Sequence, residues 1–403
     1  MYEKKTDINA VFELRTAVKD YFGVGAINKI DTIADEMIAR GINKVIVISG
    51  RSSYKTCGAW DVIEKSLKEH NIEYINFAKV TPNPTDTAVD EATKLALDFG
   101  AQAVIGIGGG SPIDTAKSVA IMMEYPSNTC AELYEAVFTP SKAAPILAIN
   151  TTHGTGTEVN RFAVVTITAK DYKPAIAYDC IYPTWAIDDP GLMKDLPLHQ
   201  TLYVSIDALN HVTESATTKV ASPYSILTAQ ETIRLVHKYL PVIKEDLTNM
   251  EARYFLTYAS ALGGISFDNG LLHFTHALEH PLSALKPDLA HGLGLAMILP
   301  AVLETIYPAC PEVLADIYRP IVPNLEGKAE EAHELAKGVE EWLFSMGVTQ
   351  KLSDEGFSED NLDKLVQLVK ETPSLGGLIA IAPIEASDDI IRDIYRKSLS
   401  PMS

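Results

Sequence analysis

Lys44–Ser49 reads KVIVIS, and this run limits the possible folds more than any other stretch. Four β-branched residues follow one another without polar alternation. A strand of that kind is covered on both faces, as in a parallel sheet flanked by helices. The rest of the first half supplies such partners. A helix is expected over Gly58–His70 and a strand over Glu73–Phe77. Pro82–Thr85 is a loop, with Thr85 or Asp86 able to cap the next helix. Ala88, Ala92, Leu95, Ala96 and Phe99 form a 3.6-residue stripe that Gly100 ends. A strand at Ala103–Ile107, the glycines 108–110, a helix Ile113–Met123 and strands at Ile146–Ile149 and Phe162–Thr168 complete the pattern. Alternation at this spacing predicts a Rossmann-like α/β domain with a parallel sheet.

The pattern changes near Asp189-Pro190. Helical periodicity then dominates, over 198–218, 224–247, 251–265, 270–284, 293–307, 328–346 and 359–371. Two domains are expected: an α/β domain at 1–190 and an all-helical domain at 191–403.

Charge excludes one class of ligand. A net charge of −19, with no basic tract, repels a phosphate backbone, so nucleic acid is not the principal partner. Cys57, Cys130, Cys180 and Cys310 are widely separated and include no CxxC, which fits reduced thiols in the cytoplasm. Met1–Lys5 has no apolar stretch behind it, and no run reaches the ~18 apolar residues of a membrane span.

The chemistry concentrates in His273–His291. His273, His276 and His280 are spaced i, i+3, i+7, which places them on one helical face. Pro281 is expected to kink or end that helix. His291 opens the next apolar run. Upstream, Asp207 and His211 form an i, i+4 pair. One carboxylate with three imidazoles suits Fe²⁺ or Zn²⁺. A single histidine on an apolar helix is usually a core residue, but four within so short a stretch of apolar and small neighbours favour a metal.

Two loops suit a nucleotide. Gly106–Ser111 follows a strand and precedes a helix, the context in which a glycine turn approaches a pyrophosphate and the helix N-terminus supplies N–H groups. Asn150–Glu158 is rich in hydroxyls and follows the next strand. Taken singly, each is also compatible with an ordinary turn.

GGGSPIDTAK (108–117), NTTHGTGTEV (150–159), DALNH (207–211) and HALEHPL…AHG (276–292) together resemble the iron-dependent, or group III, alcohol dehydrogenase family. The motifs occur in that family's order. The resemblance implies dehydroquinate-synthase-like architecture, with a nucleotide-binding α/β domain and a helical domain enclosing a cleft. It implies a metal held by Asp207, His211, His276 and His291, with Fe²⁺ expected and Zn²⁺ the alternative. It implies cofactor contacts at Asn83, Gly109, Gly110, Ser111, Asp114, Thr151, Thr152, Thr155, Lys173 and Leu192. His280 matches an active-site histidine that is not a ligand, and is expected to relay a proton. His153 and Thr157 depart from the family's usual Ala and Ser. His273 stands where Gly is common, and it either contacts nicotinamide or substrate or is a spurious ligand candidate. Phe162, Phe267 and Phe274 flank the motifs and can line an apolar pocket for a small primary alcohol or aldehyde. A homodimer or larger homo-oligomer is expected.

Two other readings compete with this one. Related folds perform non-redox or polyol and phosphorylated-substrate chemistry, but 260–300 contains only Lys286 as a cation. A non-catalytic sensor would not need an intact ligand set. Cofactor choice is read from Val45–Ser53: NAD-using relatives commonly carry Asp where Gly50 stands, and Arg51 and Ser52 come next. That favours NADP(H) over NAD(H), because a guanidinium fork suits a 2′-phosphate and the repelling carboxylate is missing.

Overall fold

Val45, Ile46, Val47 and Ile48 are fully buried in the computed structural model of the chain, which describes residues 10–403. Met1–Lys5, where a leader would begin, lies outside the described residues. The strands are β1 (Lys19–Phe22), β2 (Lys44–Ser49), β3 (Glu73–Phe77), β4 (Ala103–Gly108), β5 (Ile146–Asn150), β6 (Phe162–Val164), β7 (Ala175–Ala177) and β8 (Trp185–Asp188). Six of them form one sheet, ordered β1-β8-β5-β4-β2-β3, with every pairing parallel. Successive residues of β2 serve opposite cores. Ile46 and Ile48 pack with Val89, Ala92 and Val119 on one face, while Val45 and Val47 pack with Ile33, Trp60 and Ile63 on the other. The expected α/β architecture with helices on both faces is therefore present.

The strand order reverses beside β2. The chain passes from β2 outward to β3, then returns to place β4 on β2's other side. In open α/β sheets, ligands bind outside the carboxyl ends of strands at such a switch point. The two segments that leave those strand ends are Gly50–Ser52 and Gly109–Ser111.

Two strands of the main sheet are not expected from the sequence. β1 is short and carries Lys19 and Asp20, while β8 (WAID) looks like a stub until its neighbours cover it. Conversely, Phe162–Thr168 is not a strand of the main sheet. Only Phe162–Val164 is extended, paired antiparallel with β7, because the chain turns back through Lys170–Tyr172.

The chain divides into two compact units. One holds Thr16–Pro197 with Leu247–Ala261, and the other holds Leu198–Asp246 and Leu262–Ser403 with the first described residues up to Arg15. The assignment of all of 191–403 to a helical domain is corrected on this point. Arg253 explains why: it is fully buried and donates to His153 Nε2 (2.9 Å) and to the Leu196 carbonyl (3.1 Å).

The helical unit contains Leu198–Ser215, Pro223–Glu245, Phe274–Leu285, His291–Ile306 and Ala332–Met346. Pro311–Tyr318, Leu375–Ala380 and Asp388–Lys397 were not anticipated. Pro281 does not end its helix, which runs on to Leu285 with Leu282, Ser283 and Ala284 buried. The expectation that no segment reaches membrane-span length is also corrected: His291–Ala309 is long and apolar enough. It is mostly buried in its unit, as a central core helix is.

Candidate active site

Asp207 and His211 lie one turn apart on Leu198–Ser215, a helix buried along most of its length. His276 and His280 lie one turn apart on Phe274–Leu285. His291 is the first residue of His291–Ile306. These helices converge on a single oxygen. Asp207 Oδ1 is 3.3 Å from His211 Nε2, 3.4 Å from His276 Nε2 and 3.9 Å from His291 Nε2. The His211 and His276 rings stack, with centroids 4.7 Å apart. Asp207 Oδ1 and His276 Nε2 are buried and take part in no hydrogen bond among the described residues. Buried polar atoms are normally satisfied, so such an arrangement needs a cation or a proton at its centre. One carboxylate and three imidazoles fit a divalent transition metal.

The electrostatics agree. Burial opposes charge on Asp207, but the imidazoles around it hold its carboxyl well below the usual range. Burial draws the His211 imidazole down to about 4. Burial also works against a charged His276, yet Glu214 and Asp207 outweigh it and push that imidazole up to about 10. A group held between two carboxylates is a site prepared for positive charge.

Two glutamates complete the cluster, and both escaped the sequence reading. Glu214 Oε1 accepts from His276 Nδ1 at 2.6 Å, and Glu279 Oε2 accepts from His291 Nδ1. Both glutamates are fully buried. A carboxylate on Nδ1 fixes the tautomer and leaves the Nε2 lone pair for a metal. Gly294 makes room for Glu279, since a Cβ there would sit 2.8 Å from Glu279 Cγ. The available signal was spacing: Glu214 is i+7 from Asp207 and Glu279 is i+3 from His276. His280 is buried, and one ligand atom each from Glu279, His280 and His291 lie within 4.8 Å of one another.

His273 departs from expectation. It precedes the helix instead of sharing its face, with φ −142° and ψ −114°. Its Nε2 lies 2.8 Å from Thr217 Oγ1, and its N–H donates to Glu214 Oε2 at 2.6 Å. It is fully buried and serves to fix Glu214, so its placement against nicotinamide or substrate is corrected. Phe274 is also fully buried and offers no open pocket wall. Phe267 packs against the His211 ring at 4.5 Å between centroids. Phe162 belongs to the other unit, on β6.

In the α/β unit, the helix Gly110–Glu124 begins at the end of β4 with no side chain capping its N-terminus. That leaves its first N–H groups for a ligand. The second loop lies directly against the first. Thr151 N–H donates to the Gly108 carbonyl at 2.9 Å. A Cβ on Gly109 would lie 2.8 Å from Thr152 Oγ1, and one on Gly110 would lie 2.8 Å from Thr155 Cγ2. Only glycine permits this approach. Asp114 plays a structural part: its oxygens accept from Thr157 Oγ1 (2.6 Å) and Val164 N–H (3.0 Å). Leu192 and Lys173 are buried, and Asn83 sits in a loop with φ 54°. Gly50 is half-buried, with Arg51 and Ser52 exposed beyond it.

A helical unit prepared for a divalent cation and a parallel sheet with paired glycine–threonine loops place the chain among metal-dependent dehydrogenases. Sequence comparison narrows the class: residues 18–190 match the iron-containing alcohol dehydrogenases, and 201–399 match the C-terminal domain of the same family. The chain belongs to the iron-containing alcohol dehydrogenase family. It is 60% identical to a long-chain primary alcohol dehydrogenase of Thermoanaerobacter ethanolicus, over 99% of this chain and 100% of that one. It is 31% identical to an NADH-dependent butanol dehydrogenase of Clostridium acetobutylicum, over 96% and 99% of the respective chains. The crystal structure of an NADH-dependent butanol dehydrogenase from Thermotoga maritima matches with a TM-score of 0.87 at 30% identity, over 97% and 98%.

Proposed function

We propose that this alcohol dehydrogenase interconverts primary alcohols and aldehydes with NADP(H), using a divalent metal held by Asp207, His211, His276 and His291. The observation that carries the reading is Asp207 Oδ1 ringed by three imidazole Nε2 atoms. A metal bound there supplies Lewis-acid polarisation of a hydroxyl or carbonyl oxygen. The chain's own residues do the rest. Glu214 and Glu279 hold His276 and His291 in the ligating tautomer. Phe267 covers His211 and keeps water from that side. His280 offers a ring nitrogen for passing the hydroxyl proton toward solvent. Gly109, Gly110, Ser111, Thr151, Thr152 and Thr155 form the phosphate cradle.

The choice of NADP(H) rests on Gly50 and the exposed Arg51 and Ser52 at the switch point. The expectation of small aliphatic substrates widens to longer primary alcohols, supported by the Thermoanaerobacter relative. A cytoplasmic setting and a homo-oligomeric assembly belong to the same reading. The test is a series of aldehydes and alcohols of increasing length, run with NADPH and NADH. The protein is first stripped with chelator, then reloaded with Fe²⁺ or Zn²⁺. Turnover restored by metal and extending to long chains supports the reading. Full turnover of stripped protein, or reaction only with phosphorylated substrates, overturns it.

A further inference from the structure

Beneath the nucleotide loop lie three carboxylates that the reaction does not use. Asp20 is on β1, Asp188 ends β8, and Glu158 closes the Asn150–Glu158 loop. Glu158 and Asp188 are fully buried. Both Glu158 oxygens, Asp188 Oδ2 and Asp20 Oδ1 are buried and receive no hydrogen bond among the described residues. The Asp188 carboxylate accepts from Asn150 Nδ2, at 2.8 Å to Oδ1. The cation that acts on Glu158 is Lys117, on the helix Gly110–Glu124. Its Nζ is occupied by Thr157 O, Thr157 Oγ1, Asn160 O, Asn160 Oδ1 and Phe162 O, all within 3.3 Å. Asp114, on the same helix, is engaged by Thr157 and Val164. β5 brings no titratable group, and Lys29, from the turn packed on β8, is exposed over the Tyr21 ring.

Three ionised carboxylates cannot share such a place without a counter-charge; they share protons instead. Burial accordingly pushes the Glu158 carboxyl up to about 8, Asp20 up to about 6, and Asp188 well above its ordinary value. The trio is wired to the cofactor loop. Asn150, held by Asp188, accepts from Thr152 N–H (3.0 Å) and Thr152 Oγ1 (3.4 Å) through its own Oδ1. Thr152 in turn lies against Gly109.

We propose that Asp20, Glu158 and Asp188 hold shared protons, and that Glu158 and Asp188 are positioning residues for the nucleotide loop. Their deprotonation at alkaline pH therefore weakens dinucleotide binding. Two effects act in the same direction. Lost protons leave like charges that repel one another and displace Asn150, and with it Thr152. They also place negative charge beneath a site for an anionic pyrophosphate. The inference rests on the proposed nucleotide-binding role of these loops.

The experiment is a fluorescence titration of the whole protein with NADPH and with NADH, from about pH 7 to about pH 9.5. The wild type is expected to lose at least about ten-fold in affinity over that range, the loss set by one shared proton. Glu158→Gln removes one charge and is expected to flatten the dependence, and Asp20→Asn serves if the first variant fails to fold. Infrared difference spectra supply a readout that mere packing would not move. The wild type is expected to show a protonated carboxylic acid carbonyl band at pH 7 that fades by about pH 9.5 and is weaker in Glu158→Gln. Affinity that does not change with pH, or no such band, overturns the shared proton. Failure of the wild type to bind either nucleotide at pH 7 would instead overturn the nucleotide reading itself.

Discussion

His276 lies between two carboxylates: its Nδ1 donates to Glu214 Oε1 at 2.6 Å, and its Nε2 lies 3.4 Å from Asp207 Oδ1. The direction of the ring is thus set by a residue that need never touch a metal. Glu214→Gln should weaken metal binding by about 10- to 100-fold, the usual cost of losing such a partner. Glu279→Gln should do the same through His291. Chelator competition measures both, and unchanged metal affinity in both variants would reduce the glutamates to packing residues.

His280 is buried beside Glu279, with its ring centroid 5.8 Å from that of His291 and 6.4 Å from that of His276. His280→Ala should retain the metal and lower kcat by about 10²-fold or more, within the range for a lost acid–base group. The solvent isotope effect on kcat should change with it. Loss of metal in this variant would make His280 a ligand instead.

Gly50 provides a clean test of cofactor choice. A Cβ there would meet only Ser53 Oγ and Val80 O, both at 3.7 Å, so an aspartate fits without strain. The unmodified enzyme should favour NADPH over NADH by at least ~10-fold in kcat/KM, equivalent to ~1.4 kcal/mol. Gly50→Asp should erase or reverse that ratio. Equal use of both cofactors by the unmodified enzyme would defeat the proposal.

The buried trio also predicts how stability varies with pH. Burial raises Glu158 from 4.5 to about 8 and Asp20 from 3.8 to about 6. Between those values the folded state holds protons that the unfolded chain has released, so stability falls as pH rises. For Glu158 the stabilisation is complete below about pH 4.5 and gone above about pH 8. Across this window the Tm of the wild type should therefore fall relative to that of Glu158→Gln, which lacks this titration. A wild-type and variant Tm that stay a constant interval apart from pH 5 to pH 8 would contradict the assignment.

The local pattern follows from the order of residues alone. An unbroken KVIVIS can only be a strand covered on both faces, and glycines after a strand announce a close approach. Asp207 with His211, and His276 with His280, share faces because 3.6 residues make a turn. These are short-range consequences of backbone geometry, readable within about ten residues. Convergence was decided only by tertiary structure. Nothing near Asp207 reveals that His291 will start a helix pointing at it, or that Glu279 will reach His291 through the space left by Gly294. His273 matched the helical spacing and yet lies outside the helix, because its backbone N–H is held by Glu214 from another helix. Glu158 and Asp188 are ordinary acids until a strand and a loop enclose them away from water, with Asp20 half-buried on the neighbouring strand. Burial is a property of the whole fold, and burial is what turns a carboxylate into a group that keeps its proton.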